Sequence, residues 1–101
     1  MVLLLTFSCV VNNPKAENCE IVSVRIIKIH EGTSSNMVFI ETSGDGYYIN
    51  RGLEQNLNLD TLNAAVLNKT VTLHLPKFII GASRHIAQLA IDDEVIFTEF
   101  D

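Results

Sequence analysis

Few side chains in this sequence could do chemistry, and their spacing matches no familiar catalytic pattern. The histidines His30, His74 and His85 lie far apart, and no two of them are four residues apart on one helix. The cysteines, Cys9 and Cys19, each lack a second thiol at the two-residue separation that zinc sites use. Serine, histidine and aspartate all occur, but the sequence contains no Gly-x-Ser-x-Gly turn that would activate a nucleophile. We therefore predict no catalytic residues, no metal site and no cofactor.

The acidic run Asp92-Asp93-Glu94 is the most concentrated group of carboxylates. It separates two apolar segments, His85–Ile91 and Val95–Phe97. Aspartate is common in tight turns because its side chain hydrogen-bonds to the nearby backbone. We interpret the run as a solvent-exposed turn between two strands rather than as a cation site.

Length, composition and charge limit the classes of function. The chain has 101 residues, of which 48% are hydrophobic, and this is enough for one folded domain. It carries 7 basic and 12 acidic residues, a formal net charge of -5. Proteins that bind nucleic acid neutralise its phosphates with Lys and Arg. The acidic balance therefore argues against a nucleic-acid partner.

Aromatic and cationic residues are concentrated in two segments that could bind a partner. In Tyr47-Tyr48-Ile49-Asn50-Arg51, adjacent tyrosines on a strand point to opposite faces. Arg51 is expected to pair with Glu54, with a ligand carboxylate or sugar ring as the alternative. In Pro76–Arg84, the run Phe78-Ile79-Ile80 is too apolar for a solvated loop, so it either folds back over the domain or forms a contact patch. Because aromatic and Arg side chains contribute much of the energy of interfaces, the predicted partner-binding surface comprises Phe39, Tyr47, Tyr48, Arg51, Lys77, Phe78 and Arg84.

The N-terminal segment Val2–Val11 is apolar but too short for a membrane-spanning helix, which needs about 20 residues. Its length is typical of a secretory signal, and Leu5–Cys9, with Ser8 before the cysteine, resembles the cleavage site of bacterial lipoprotein signals. The resemblance implies a lipid on Cys9 and a domain held on the periplasmic side of a bacterial cell envelope, with the lipid anchor as its only membrane contact. Residues 1–18 would then be signal, anchor and tether, and residues 19–101 the domain.

Other interpretations of this segment stay open. Val2–Val11 could instead be a first strand of the core, which would favour a cytoplasmic protein, or a truncated membrane anchor. In an oxidising compartment without lipidation, Cys9 could pair with Cys19.

The first strand of the domain is expected over Glu20–His30, which is rich in β-branched residues. Val22, Val24 and Ile26 share one parity, whereas Ile27 and Ile29 share the other. A slip of one residue exchanges the buried face. The pattern therefore predicts a bulge at Ile26-Ile27, where the strand bends.

The rest of the chain alternates strands with one helix. Strands are expected over Met37–Thr42 and Tyr47–Asn50, joined by the turn Ser43–Gly46. Leu59, Leu62 and Val66 share one helical face; Asn58 is the expected N-cap, and Asn68 is expected in a left-handed conformation after the helix. Further strands are expected over Thr70–Leu75, ended by Pro76, then His85–Ile91 and Val95–Phe97. The predicted core comprises Val24, Ile26, Val38, Ile40, Leu59, Leu62, Val66, Val71, Leu73, Leu89 and Ile96.

This order of three strands, a helix and further strands resembles the OB-fold, a small, partly open barrel. We predict a mainly β domain with one short helix, in which five or six antiparallel strands form an OB-like barrel; the alternative is an open α+β sheet with one covering helix. The predicted function is a non-catalytic binding module of the envelope that recognises a protein or a small polar ligand over its second and third strands. The alternative is a small hydrolase or transferase whose nucleophile the sequence does not identify.

Overall fold

The computed structural model describes residues 15–55, 57–78 and 81–100. The sequence expectations for residues 1–14, Cys9 included, and for Ile79 and Ile80 fall outside this part. Short 3₁₀ turns occur at Ala16–Asn18, Thr33–Ser35 and Gly52–Glu54. The strands and the helix are β1 (Cys19–Glu31), β2 (Met37–Glu41), β3 (Gly46–Ile49), α1 (Leu59–Val66), β4 (Thr70–Phe78), β5 (Gly81–Ala82), β6 (Gln88–Ile91) and β7 (Glu94–Thr98).

Six strands form one antiparallel sheet in the order β3-β2-β1-β4-β6-β7, and the two-residue β5 pairs with β4. This confirms the mainly β fold and the open-sheet alternative; the sheet is not closed into a barrel. Across the opening, the Tyr48 N–H donates to the Arg84 carbonyl at 2.9 Å and the Ile86 N–H donates to the Tyr48 carbonyl at 2.7 Å. A longer ladder does not form, because β3 has only four residues and the chain turns away at Arg51, which has a left-handed backbone (φ 51°).

Strand β1 belongs to both halves of the sheet. Its first part, Cys19–Arg25, pairs with β4, and its second part pairs with β2 after a register shift between Ile26 and Lys28. Ile26 is fully buried, whereas Ile27 is 44% exposed. The bulge predicted from the apolar pattern is confirmed. Even-numbered side chains face the core before the bulge, and odd-numbered side chains face it afterwards.

Strand β2 turns the opposite face to the core from the one predicted. Met37 and Phe39 are fully buried, whereas Val38 and Ile40 are only half-buried. The prediction of Val38 and Ile40 as core residues was wrong because all four side chains of this stretch are apolar, so alternation could not indicate the inward face. The register decides it: Phe39 lies opposite Ile29, which packs against the core.

Helix α1 covers one side of the core and ends as predicted. The Asn58 side chain accepts a hydrogen bond from the Thr61 N–H at 3.0 Å. Leu62 and Val66 are buried. Asn68 follows with a left-handed φ of 63° and donates its N–H to the Ile26 carbonyl at 2.6 Å, so the helix end is joined to the bulged strand.

Two predicted boundaries were wrong. Pro76 does not end β4, because it lies opposite Cys19, the first residue of β1, and its carbonyl accepts the Ser83 N–H at 2.9 Å. The strand expected from His85 begins only at Gln88, since the backbone around His85 pairs with Tyr48 instead. Asp92, with a φ of 54°, forms the predicted turn between β6 and β7.

The remaining core predictions hold for the most part. Half-buried Val24, Leu59 and Ile96 pack against the core. The predicted core residues that are buried are Ile26, Leu62, Val66, Val71, Leu73 and Leu89.

Candidate functional site

A shallow depression of about 270 Å³ opens beside β3, where the loop before β6 approaches the start of β1 and the end of β4. Its apolar lining comes from Val22, Tyr47 and Leu75, of which the last two are buried. Its polar lining comes from Glu20, Asp45, Ser83 and Arg84. We refer to the surface formed by these seven residues as the depression.

The Arg84 side chain lies at the centre of the charged part of the depression. Its guanidinium carbon is 5.1 Å from the centroid of the Tyr47 ring. One guanidinium nitrogen is 3.6 Å from a carboxylate oxygen of Asp45, and both side chains are about half exposed. A cation over an aromatic face is attracted by the negative charge of the π-system.

Backbone hydrogen bonds position both charged partners. The Arg84 carbonyl accepts the Tyr48 N–H, and the Asp45 carbonyl accepts the Glu41 N–H at 3.0 Å. Arg84 is therefore anchored to the edge strand β3, and Asp45 is anchored to β2 beside it. Their exposed side chains can exchange contacts without moving the backbone.

The turn that carries Asp45 is stabilised by the Glu41 carboxylate. This group accepts hydrogen bonds from the Ser43 N–H and the Ser43 hydroxyl, both at 2.5 Å. These two hydrogen bonds are the main cause that holds the pKa of Glu41 below its ordinary value, with a smaller contribution from the charge of Arg84. The carboxylate is therefore ionised at neutral pH. Glu41 was not among the predicted site residues, although a Glu two positions before a Ser at the end of a strand could have indicated it.

A second polar pair holds the loop before β6 in place. The His85 imidazole nitrogen Nε2 lies 2.7 Å from Oε1 of Glu99, and both side chains are mostly buried. The imidazole also packs edge-on against Tyr48, with ring centroids 5.6 Å apart. Sequence spacing could not reveal the pair, since its members come from different segments.

Of the predicted partner-binding residues whose side chains the structure describes, Tyr47 and Arg84 are the two that line the depression. Phe39 is fully buried, so it cannot belong to an exposed surface; it was placed there by the same parity error that misassigned the core face of β2. Tyr48 is half-buried on the other face of β3, beside His85.

The other predicted members lie elsewhere. Arg51 pairs with Glu54 at 3.2 Å, which confirms the expected ion pair, and it does not line the depression. Lys77 is exposed on β4, also outside the depression. The side chain of Phe78 and the lipidation candidate Cys9 lie outside the part of the chain that the structure describes.

Two potential nucleophiles in this region, the Cys19 thiol and the Ser83 hydroxyl, are hydrogen-bonded to backbone groups. Burial raises the pKa of the Cys19 thiol, which donates a hydrogen bond to the Lys15 carbonyl at 3.4 Å. Ser83 Oγ accepts the His85 backbone N–H at 3.3 Å, but among the described side chains no hydrogen bond joins this hydroxyl to an imidazole. Neither group forms a nucleophile–base pair.

The described residues contain no group of three or more His, Cys, Asp or Glu side chains placed to hold a metal ion. Within residues 15–55, 57–78 and 81–100, no helix has the length and apolar character needed to cross a membrane. No protein-family model, no curated protein and no solved structure matches this chain. The depression is therefore interpreted from its geometry alone.

Proposed function

We propose that this protein is a non-catalytic binding module and that the depression is its contact surface for a protein segment or a small polar ligand. The observation that carries the proposal is the placement of Arg84, a half-exposed cation stacked on Tyr47 and close to Asp45, in a small concavity lined by both polar and apolar side chains. Binding sites commonly combine an apolar lining with a few convergent polar groups.

The size of the depression favours a single inserted group. Sites for drug-sized ligands enclose roughly 300 to 1,000 Å³, whereas this depression holds about 270 Å³ and is open to solvent. One side chain of a partner, or a comparably small ligand, fits it better than a nucleotide-sized cofactor. The alternative function, a small hydrolase or transferase, has less support: the described hydroxyls that donate to a carboxylate, those of Thr42 and Ser43, both donate to Glu41, and none of these three residues lines the depression.

The proposed contact can be tested by filling the depression. The chain contains no Trp, so a new indole also provides a fluorescence reporter. Glu20→Trp introduces a bulky ring at the exposed margin of the depression, and Glu94→Trp makes the same change at an exposed position at the start of β7, which does not line it. The two variants differ only in location.

A library of amino acids, short peptides and sugars would be screened by changes in backbone amide NMR shifts. We expect ligands that perturb the amides of Asp45, Ser83 and Arg84, that fail to bind Glu20→Trp, and that bind Glu94→Trp as they bind the wild type. Ligands whose binding survives Glu20→Trp unchanged, or a library that leaves these amides unperturbed, would contradict the proposal.

We also propose that a lipid on Cys9 holds the module at a bacterial envelope, on the support of the sequence Leu5–Cys9. Mass spectrometry of the native protein is expected to show a chain that lacks Met1–Ser8 and carries a lipid on Cys9. A chain that keeps Met1–Ser8 with an unmodified Cys9 would refute the tether without affecting the proposed contact surface.

A further inference from the structure

The depression has an excess of negative charge. Its lining contains two carboxylates, Glu20 and Asp45, and one cation, Arg84. Two carboxylates therefore line the depression with one guanidinium, and a second cation would be attracted to this surface more than an anion would.

Arg84 shows how the depression holds a cation. The Tyr47 face and the Asp45 carboxylate form a two-sided position for a guanidinium or an ammonium group. The contact is loose: the 3.6 Å separation exceeds hydrogen-bond distance, and the Arg84 guanidinium donates no hydrogen bond to any of the described residues. By contrast, the Arg51 guanidinium donates to both carboxylate oxygens of Glu54, at 3.4 and 3.2 Å.

We propose that the depression receives a Lys or Arg side chain of a partner polypeptide and that Arg84 occupies the same Tyr47–Asp45 position as an internal competitor. This inference rests on the proposed function. The apolar lining accommodates the methylene stem of such a side chain, whose charged head stays at the exposed margin. Because one ring face and one carboxylate accept one cation at a time, the partner's side chain displaces Arg84 on binding.

The test compares two Arg substitutions that are matched in charge and exposure. Arg84→Gln removes the proposed competitor, and Arg51→Gln removes an Arg from an ion pair outside the depression. Side-chain exposure is 52% for Arg84 and 58% for Arg51. Each variant lowers the formal net charge by one, from -5 to -6, so any difference between them reflects position rather than overall charge.

The probes are two capped tripeptides, Gly-Arg-Gly and Gly-Glu-Gly, titrated at low ionic strength and followed through the amide shifts of Asp45 and Ser83. To bind, the peptide must displace Arg84 from an exposed ion pair and an exposed cation–π contact, which are individually weak. Without Arg84 this cost disappears, so we expect the affinity for Gly-Arg-Gly to rise about tenfold. Arg51→Gln is expected to leave this affinity within about twofold of the wild type. Asp45→Asn is expected to lower it.

Different failures point to different errors. If Arg84→Gln weakens or does not change the binding of Gly-Arg-Gly, Arg84 is not a competitor and the inference is overturned. If the wild type prefers Gly-Glu-Gly and loses it in Arg84→Gln, the depression binds anions: the inference is again overturned, and in both cases the proposed contact surface stands. If neither peptide nor any screened ligand perturbs the depression, both fail. Should Arg84→Gln unfold the chain, Arg84→Lys, which keeps the charge but loses the planar stacking group, is expected to raise the affinity by a smaller factor, and no gain would refute the competition.

Discussion

Truncating Leu62 measures how much the single helix contributes to the fold. This side chain is 4% exposed and packs in the core cluster with Val66. Leu62→Ala removes three carbon atoms, and at about 0.8 kcal/mol for each buried methylene the loss of burial alone is about 2.4 kcal/mol. The cavity left behind adds to this loss, so we expect the free energy of unfolding to fall by about 3 kcal/mol, within the range of about 2 to 5 observed for buried leucines.

The assay is urea unfolding followed by far-ultraviolet circular dichroism. Leu67→Ala is the control, since Leu67 lies just after the helix, is only half-buried and is not part of the core cluster. We expect it to cost less than about 1 kcal/mol, with the denaturant slope unchanged in both variants. A loss below about 0.5 kcal/mol for Leu62→Ala, or equal losses for the two variants, would show that α1 does not cover the core.

Three further predictions concern acid stability, the helix cap and polyanions. Because the pKa of Glu41 is lowered in the folded protein, the ionised carboxylate stabilises the fold above the ordinary pKa of 4.5, and this contribution is lost as the pH falls through the folded pKa. The urea midpoint of Glu41→Gln should therefore fall less steeply with decreasing pH than that of the wild type. An equal pH dependence of the two midpoints would contradict this. Asn58→Ala should cost about 1 kcal/mol of unfolding free energy by removing the cap hydrogen bond, while Asn63→Ala, at an exposed helix position, should be nearly neutral. With a net charge of -5, the protein should show no fluorescence-anisotropy change with labelled single-stranded DNA at physiological salt, and tight binding would overturn the charge argument.

Features with local signals could be predicted from the sequence. Asn58 and Asn68 bound the helix because amide side chains suit caps and left-handed positions, and the Ile26-Ile27 slip indicated the bulge. The side of β2 that faces the core could not be predicted in the same way. In an uninterrupted apolar run, no alternation of polar and apolar residues indicates which side chains point inward. The openness of the sheet also had no local signal, because it depends on where the chain leaves β3 at Arg51.

The candidate site was only partly predictable for a related reason. Tyr47 and Arg84 were both expected at a contact surface on the basis of residue type, but their stacking depends on the pairing of Tyr48 with the loop before β6. The Glu20 carboxylate reaches the same depression only because β1 pairs with β4 over its first half. Contacts between segments far apart in the chain are set by the topology of the sheet, which sequence spacing does not encode.

The bulge in β1 has an evolutionary consequence. Ile26 points inward, Ile27 and Lys28 are both exposed, and Ile29 packs against the core. Deleting Ile27 would restore simple alternation and leave every other side chain of the strand on its present face, whereas deleting a residue from either regular ladder would invert the residues beyond it. Homologous chains are therefore expected to tolerate a one-residue gap at Ile27, although β1 would then bend less at this point. They are expected to conserve the length of β1 on both sides of it.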